Sequence, residues 1–243
     1  MITFPMSSLE FRLHIGAHKT ATTHLQNILA ANKAYLLEHG IFYIPRIVIR
    51  QTGLVKIVNE NYSTVGQTFS WGQLIRAPNE DVKRCVLSEE NIIGGCVDLL
   101  EFLYPNVERH LLPWSHLANN RNTKLYIAIR DYASILTSAY SQALRDGSKV
   151  PPFSVHLKTW LSDKPSWCAL VNKVRSLFAE AEITVWTFER YIADYAQVAS
   201  SVCGLTLPIT DIAIPDKTRS LSADAIRRIE SINPSADWQA RRR

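Results

Sequence analysis

One short segment holds the residue types that bind phosphate groups in proteins. Gly16, Lys19 and the threonines at 20, 22 and 23 follow an apolar run that predicts a strand, and a helical pattern begins at Thr22. A loop between a strand and a helix points several backbone N–H groups and the positive end of the helix dipole at one place. With the ammonium group of Lys19 beside them, these donors are expected to bind a phosphate.

This loop differs from the loop of nucleoside triphosphatases, which has the pattern Gly-x-x-x-x-Gly-Lys-Ser/Thr. Ala17 and His18 precede Lys19, so the second glycine is missing. An ordinary strand–loop–helix corner with a surface lysine is the simple alternative. The glycine, the lysine and the paired threonines together at the junction favour phosphate binding over it.

The surrounding sequence predicts one domain, spanning residues 1–243, in which strands alternate with helices. Apolar, β-branched runs predict strands at Phe11–Ile15, Cys85–Leu87, Leu125–Ile129 and Ile183–Thr187. Helical patterns occur at Thr22–Ala31, Lys33–Glu38, Asp131–Arg145, Ala169–Ala179 and, with Ser222 as N-cap, Ala223–Ile232. Segments 45–80, 104–122 and 147–168 are expected to be loops or short helices over one edge of the sheet. The alternation predicts a three-layer α/β/α fold with a central parallel sheet.

The composition narrows the class of protein. The chain has 47% hydrophobic and 20% charged residues, as soluble globular proteins do, and its net charge of +5 fits an anionic ligand. Its four cysteines form no Cys-x-x-Cys pair and its histidines no metal-ligand spacing, so we expect reduced thiols and no metal. No signal peptide, long apolar run or basic–aromatic stripe occurs, which favours a cytoplasmic protein that neither enters a membrane nor binds nucleic acid.

The loop resembles that of a known family. The segment His18-Lys19-Thr20-Ala21-Thr22-Thr23-His24-Leu25-Gln26 is similar to the 5′-phosphosulfate loop of sulfotransferases, above all the bacterial form His-Lys-Thr-Gly-Thr-Thr-x-Leu-Gln. Asn32, Leu36, Gly40 and Tyr43-Ile44-Pro45 resemble the segment that follows in that group. The resemblance implies a P-loop-like sulfotransferase fold, 3′-phosphoadenylyl sulfate (PAPS) as the donor and 3′,5′-ADP (PAP) as the product.

The resemblance gives roles to the residues of this loop. It implies that the 5′-phosphosulfate lies against Gly16, His18, Lys19 and Thr20 to Thr23, and that Lys19 neutralises charge on the bridging oxygen. Ala21 departs from the family, in which glycine is commoner. If the backbone at this position needs a positive φ, alanine is strained by about 1 kcal/mol or more.

Two further segments match the family in order along the chain. Arg130 follows the third long apolar run and Ser138 comes eight residues later, the spacing with which sulfotransferases bind the 3′-phosphate of the donor. An arginine paired with a carboxylate and a small packing serine are the alternative. In the stretch Val86–Asn91, Glu90 is the first candidate for a general base and Glu89 the second; a solvated acidic turn explains the same residues.

Near the end of the chain, Lys217 and Arg219 stand in a stretch that resembles the family's Asn/Arg-x-Ser-Leu-Ser segment. The resemblance implies that one of them reaches the 3′-phosphate, and a capped helix explains the stretch equally simply.

The sequence therefore predicts transfer of a sulfuryl group from PAPS to a hydroxyl or amine of a small molecule or glycan, without a metal. Carbohydrate is the commonest acceptor among the bacterial proteins that this loop resembles. The alternatives are a P-loop kinase that uses ATP and magnesium, and a nucleotide-binding module that has lost turnover. Neither the acceptor nor the oligomeric state follows from the sequence.

Overall fold

The computed structural model describes residues 9–65, 78–118, 122–213 and 221–232. Five parallel strands of this part form one sheet in the order β2-β3-β1-β4-β5. Their bounds are β1 Glu10–His14, β2 Ile41–Ile44, β3 Arg84–Ser88, β4 Thr123–Ile129 and β5 Glu182–Thr187. The predicted α/β class with a central parallel sheet is confirmed.

Helices follow every strand, as parallel pairing requires. The first six are α1 Thr22–Ala31, α2 Lys33–Glu38, α3 Arg46–Gln51, α4 Leu54–Val65, α5 Cys96–Phe102 and α6 Val107–Ala118. The others are α7 Tyr132–Arg145, α8 Phe153–Asp163, α9 Trp167–Leu177, α10 Phe188–Ala193, α11 Tyr195–Cys203 and α12 Ala223–Ile232. A 3₁₀ turn occupies Glu90–Ile92. No helix in the described ranges is long and apolar enough to cross a membrane.

Both faces of the sheet are covered, so its strands are apolar on both sides. Phe11 and Leu13 of β1 pack on one face with residues from α3 to α9. On the opposite face, Leu25 and Ile28 of α1 pack with side chains of β2, β4, β5 and α11. The core therefore fixes α1, and with it the loop that precedes α1, against the centre of the sheet.

The predicted elements agree with the observed ones to within two residues at each end. The sequence reading missed β2, α5, α10 and α11, and α3, α4, α6 and α8 fall in segments that it predicted to be loops or short helices. β2 is only four residues long, too short for its apolar run to be separated from a helix or loop by pattern alone. Of these elements, α3 and α10 matter most for function, because both border the site described next.

Candidate active site

A cavity of about 520 Å³ lies where the carboxyl ends of the strands meet. Its walls come from segments that directly follow strands, the usual position of ligand sites in open α/β sheets. The volume is within the range of about 300–1,000 Å³ found for small-molecule sites. The cavity is lined by His18, Lys19, Ala21, Thr22, Thr23, His24, Arg46, Arg50, Glu90, Asn91, Cys96, Val97, Arg130, Ser138, Gln142, Asp146, Phe188 and Ile192.

The strand order divides these walls. The loop after β1 lies in the middle, because β1 is the central strand. Arg46, Arg50 and Glu90 follow β2 and β3 on one side of it. Arg130 and Phe188 follow β4 and β5 on the other side. A ligand that fills the cavity therefore crosses the loop from one group of cations to the other.

The loop from His18 to Thr23 presents backbone donors. Within the described chain, the N–H groups of residues 19–23 donate no backbone hydrogen bond, as expected at a helix start. The hydroxyls of Thr20 and Thr22 turn inward to the carbonyl oxygen of Ala17, at 2.6 and 3.4 Å. Thr20 is buried and lies outside the cavity lining, so its contribution is its N–H group and its brace on the loop.

Two non-glycine residues of the loop have left-handed backbone conformations. Lys19 has φ 65° and Ala21 has φ 66°, ψ 22° as the N-cap of α1. Residue 21 therefore has the positive φ at which alanine is strained. A side chain in this conformation costs about 1 kcal/mol relative to glycine. Ala21 also lacks an oxygen with which to cap α1.

Replacing Ala21 with glycine is expected to stabilise the protein by about 1 kcal/mol, because the strain of the left-handed alanine is removed. For a chain of this size that corresponds to a rise in Tm of about 2–4 °C. Thermal unfolding followed by circular dichroism measures it.

Ala30→Gly is the matched control, because Ala30 is exposed and has a right-handed helical backbone in the last turn of α1. Glycine there should destabilise by about 0.5–1 kcal/mol. If Ala21→Gly lowers Tm as Ala30→Gly does, residue 21 does not have the left-handed conformation.

Lys19 reaches across the cavity. Its Nζ donates to Oε1 of Gln142 on α7 at 3.3 Å. Burial lowers the pKa of Lys19, and the nearby Arg145 and Arg130 lower it further, whereas Cys96 and Asp146 oppose them. A partly desolvated ammonium of this kind exerts a stronger field on a bound anion than one in water does.

Arg130 joins the loop to α7 and α10. Its NH1 donates to the carbonyl oxygen of Lys19 at 2.8 Å, and its Nε donates to Oγ of Ser134 at 2.8 Å. The guanidinium lies 4.2 Å from the ring centroid of Phe188, a cation–π contact. Ser138 is buried two turns into α7 and lines the same cavity. Both residues of the predicted pair therefore border one site.

The two candidate carboxylates have different surroundings. Glu89 is fully buried and accepts from Nε of Arg50 at 3.0 Å, from NH2 of Arg50 at 3.1 Å and from the amide of Asn91 at 2.6 Å. Glu90 lines the cavity and accepts from NH2 of Arg50 at 3.0 Å and Nε2 of Gln26 at 3.2 Å. The structure thus turns Glu90 to the site and Glu89 to a buried ion pair.

Burial by itself would raise the pKa of Glu90, but His18, a backbone hydrogen bond, Arg50 and His14 together hold the pKa below its ordinary value. Burial also lowers the pKa of His18, so this imidazole is neutral near pH 7. Arg50 is then the cation that keeps Glu90 ionised at neutral pH.

His18 supports the loop through a defined tautomer. The hydroxyl oxygen of Tyr104 accepts from the backbone N–H of His18 at 2.8 Å, and the same hydroxyl lies 2.9 Å from Nδ1. Oδ1 of Asn91, next to Nε2, can only accept, so the proton of the neutral ring is on Nε2 and Nδ1 accepts from the Tyr104 hydroxyl. Nε2 can then donate to Oδ1 of Asn91 at 3.3 Å. His18 therefore ties the loop to the Glu90 turn.

Gly16 does not line the cavity, and its position has a packing reason. Its φ is +101°, and a Cβ atom there would stand 3.1 Å from Cβ of Glu90. Glycine lets the loop after β1 pass this close to the turn after β3. Gly16 thus sets the spacing between Lys19 and Glu90.

His24, which was not predicted to be a site residue, lines the cavity, and its ring is held by Tyr191 Oη at 2.8 Å and by the carbonyl of Ile212 at 2.8 Å. Lys217 and Arg219 lie outside the described residues. The stretch resumes at Leu221, whose N–H donates to Oγ of Ser141 on α7 at 2.5 Å.

Several site residues were missed by the sequence reading, among them Arg46, Arg50, Gln142, Phe188 and Ile192. Arg46 and Arg50 stand four residues apart just after the Tyr43-Ile44-Pro45 segment, so a helix assigned there would have put both on one face. Phe188 directly follows the predicted β5, at the strand end where the other site residues were sought.

Comparisons with protein-family models and with curated proteins each find no match. Among solved structures, the chain is similar to the crystal structure of a sulfotransferase from Alicyclobacillus acidocaldarius. The two share 17% sequence identity over 96% of this chain and 98% of that chain, with a TM-score of 0.43.

Proposed function

We propose that the protein is a PAPS-dependent sulfotransferase that transfers the sulfuryl group to a hydroxyl or amine. One observation carries the proposal: three segments far apart in the sequence border a single cavity. They are the Lys19 loop, the pair Arg130 and Ser138, and Glu90. The resemblance to sulfotransferases implies a role for each of the three in the same reaction.

The donor fits the centre and the β4 side of the cavity. The N–H groups of residues 19–23 and the start of α1 suit the 5′-phosphosulfate. Arg130, with Ser138 on the same wall, suits the 3′-phosphate, since a guanidinium can contact two phosphate oxygens at once. Phe188, whose ring lies against Arg130, and Ile192 offer an apolar surface to the adenine.

The reaction needs in-line attack at sulfur and stabilisation of the charge that develops on the leaving oxygen. The acceptor oxygen forms a bond to sulfur while the bond between sulfur and the bridging oxygen of the 5′-phosphate breaks. Lys19 neutralises the bridging oxygen, and Glu90 takes the proton of the acceptor hydroxyl. PAP and the sulfate ester are the products, and Glu90 later releases the proton to solvent.

The kinase alternative would need a carboxylate for magnesium near the loop. Asp131, the acidic residue that follows β4, instead caps α7: its Oδ1 accepts from the N–H of Ser134 at 2.8 Å, and its Oδ2 accepts from the hydroxyl of Ser134. Asp131 does not line the cavity. Glu90 and Asp146 do line the cavity, so it is ligand binding that separates the kinase from the sulfotransferase.

Calorimetric titration separates these functions. We expect 3′,5′-ADP to bind tightly, with no change on adding a chelator, and ATP with magnesium to bind weakly. Magnesium-dependent ATP binding without preference for a 3′-phosphate would establish the kinase instead. Failure of both nucleotides to bind would leave a module without this function.

The 3′-phosphate site gives a sharper prediction. Arg130→Ala should weaken binding of 3′,5′-ADP by about 10–100-fold, the value of one charge-assisted hydrogen bond, and should hardly change binding of 5′-AMP. Calorimetry with the two nucleotides measures the difference.

Because Arg130 also contacts the Lys19 carbonyl, a distorted loop would weaken both nucleotides equally, and that result would refute the assignment. Ser138→Ala is the second variant, with a smaller loss that is again confined to 3′,5′-ADP.

A further inference from the structure

Arg46 lines the cavity on the side of Glu90, and its side chain makes few contacts with the described residues. Its NH1 donates to Oγ1 of Thr23 at 3.2 Å, and no carboxylate among the described residues pairs with it. The guanidinium carries five N–H donors, and this is the one hydrogen bond that its side chain makes with described residues. Arg46 is the first residue of α3 and is held in place by the strand that precedes it.

The other cations of the cavity differ from Arg46 in this respect. Arg50 is bound by the carboxylates of Glu89 and Glu90. Arg130 contacts the Lys19 carbonyl and the Phe188 ring, and Lys19 contacts Gln142. Arg46 thus has a charge that neither a carboxylate nor a ring of the described chain compensates.

The strand order decides which part of the ligand meets this charge. Arg46 follows β2, and Arg130 follows β4, on opposite sides of the central loop. In the proposed function, the 3′-phosphate of the nucleotide binds on the β4 side, and its 5′-phosphosulfate binds to Lys19 and the N–H groups of the loop. The β2 and β3 side, where Glu90 faces the cavity, belongs to the acceptor.

From this arrangement we infer that the acceptor is an anionic hydroxyl compound, whose carboxylate, sulfate or phosphate group is bound by Arg46 while its hydroxyl faces Glu90. The inference rests on the proposed sulfotransferase function and names its acceptor class. A planar guanidinium suits each of these anions, because two of its N–H groups match two oxygens of the anion. Thr23 holds the arginine at the edge of the donor loop, next to the sulfuryl group.

Matched pairs of acceptors test the inference. Methyl glucuronide and methyl glucuronamide differ only in the carboxylate or amide at C6, and 4-hydroxybenzoate and 4-hydroxybenzamide differ in the same way. Binding of each compound to the protein saturated with 3′,5′-ADP is measured by calorimetry, and PAP release from PAPS is measured beside it. We expect the anionic member of at least one pair to bind at least ~10-fold more tightly, the value of one charge-assisted hydrogen bond.

Arg46→Gln should abolish that preference and leave binding of the neutral members and of 3′,5′-ADP unchanged. Arg46→Lys should retain part of it, because the charge remains and the fork is lost. Arg109→Gln is the matched control, since Arg109 is an exposed arginine of α6 that is not part of the cavity wall.

Each contrary result has its own meaning. Equal binding of anionic and neutral members, or no binding of either anionic probe, overturns the inference while the sulfotransferase proposal stands on its 3′,5′-ADP binding. Weaker 3′,5′-ADP binding by Arg46→Gln assigns the arginine to the donor and also overturns it. If the unmodified protein does not bind 3′,5′-ADP, the proposed function itself fails.

Discussion

Replacement of Lys19 by alanine is expected to slow sulfuryl transfer by at least ~10²-fold, comparable to the loss of one donor that stabilises a developing oxyanion. The effect should fall on kcat, because the charge on the bridging oxygen appears only as its bond to sulfur breaks. PAP release from PAPS, measured with a mixture of hydroxyl acceptors, gives the rate.

The fold should survive this change. The Lys19 side chain makes one described hydrogen bond, to Gln142, whereas the contact that holds the loop to Arg130 uses the backbone carbonyl of Lys19 and remains. Lys33→Ala removes the same charge from an exposed position on α2 and is the matched control. A rate for Lys19→Ala close to that of Lys33→Ala would refute the catalytic role of Lys19.

The sequence predicted the central part of the molecule because local signals there agree with the fold. Apolar runs gave four of the five strands, and the helix predicted at Thr22–Ala31 packs on the sheet through Leu25, Ile28 and Leu29. The loop between them was readable because its glycine, lysine and threonines stand at a strand-to-helix junction. A buried parallel sheet leaves little choice about where such a junction can lie.

The side walls of the cavity could not be predicted in the same way. Arg46 and Arg50 lie on a helix of six residues, too short to show a periodic pattern, and their relation to Glu90 depends on the pairing of β2 with β3. Sequence alone could not separate Glu89 from Glu90, since the two neighbours differ only in which one the 3₁₀ turn buries. Such choices are made by tertiary packing and leave no local trace.

Glu90→Gln is the second change with a large expected effect. Removing the general base should lower kcat by about 10²–10⁴-fold. Binding of 3′,5′-ADP should not weaken, because Glu90 lies on the acceptor side and its negative charge, if anything, opposes the donor. Steady-state turnover and calorimetry on the same preparation separate the two effects.

Glu89→Gln makes the same chemical change one residue earlier and is the matched control. Its effect should fall on stability, at about 2 kcal/mol, below the 3–5 kcal/mol of a fully buried pair because the Arg50 side chain is 44% exposed. A loss of kcat for Glu89→Gln that matches Glu90→Gln, without a loss of stability, would exchange the roles of the two carboxylates.

The pH profile tests the same assignment without changing Glu90. The ionised form is the base, and the pKa of Glu90 lies below its ordinary value of 4.5, so kcat/KM should persist at pH 5 and fall only as the pH drops through that lowered pKa. Lys19 acts as the ammonium, and its pKa lies below the ordinary 10.5. Activity should therefore be lost as the pH rises through this lowered pKa. Arg50→Met removes one of the groups that lower the pKa of Glu90 and leaves His18, a backbone hydrogen bond and His14 in place; the acid limb should therefore move to higher pH while the alkaline limb stays. An acid limb that does not move in Arg50→Met would assign it to a group other than Glu90.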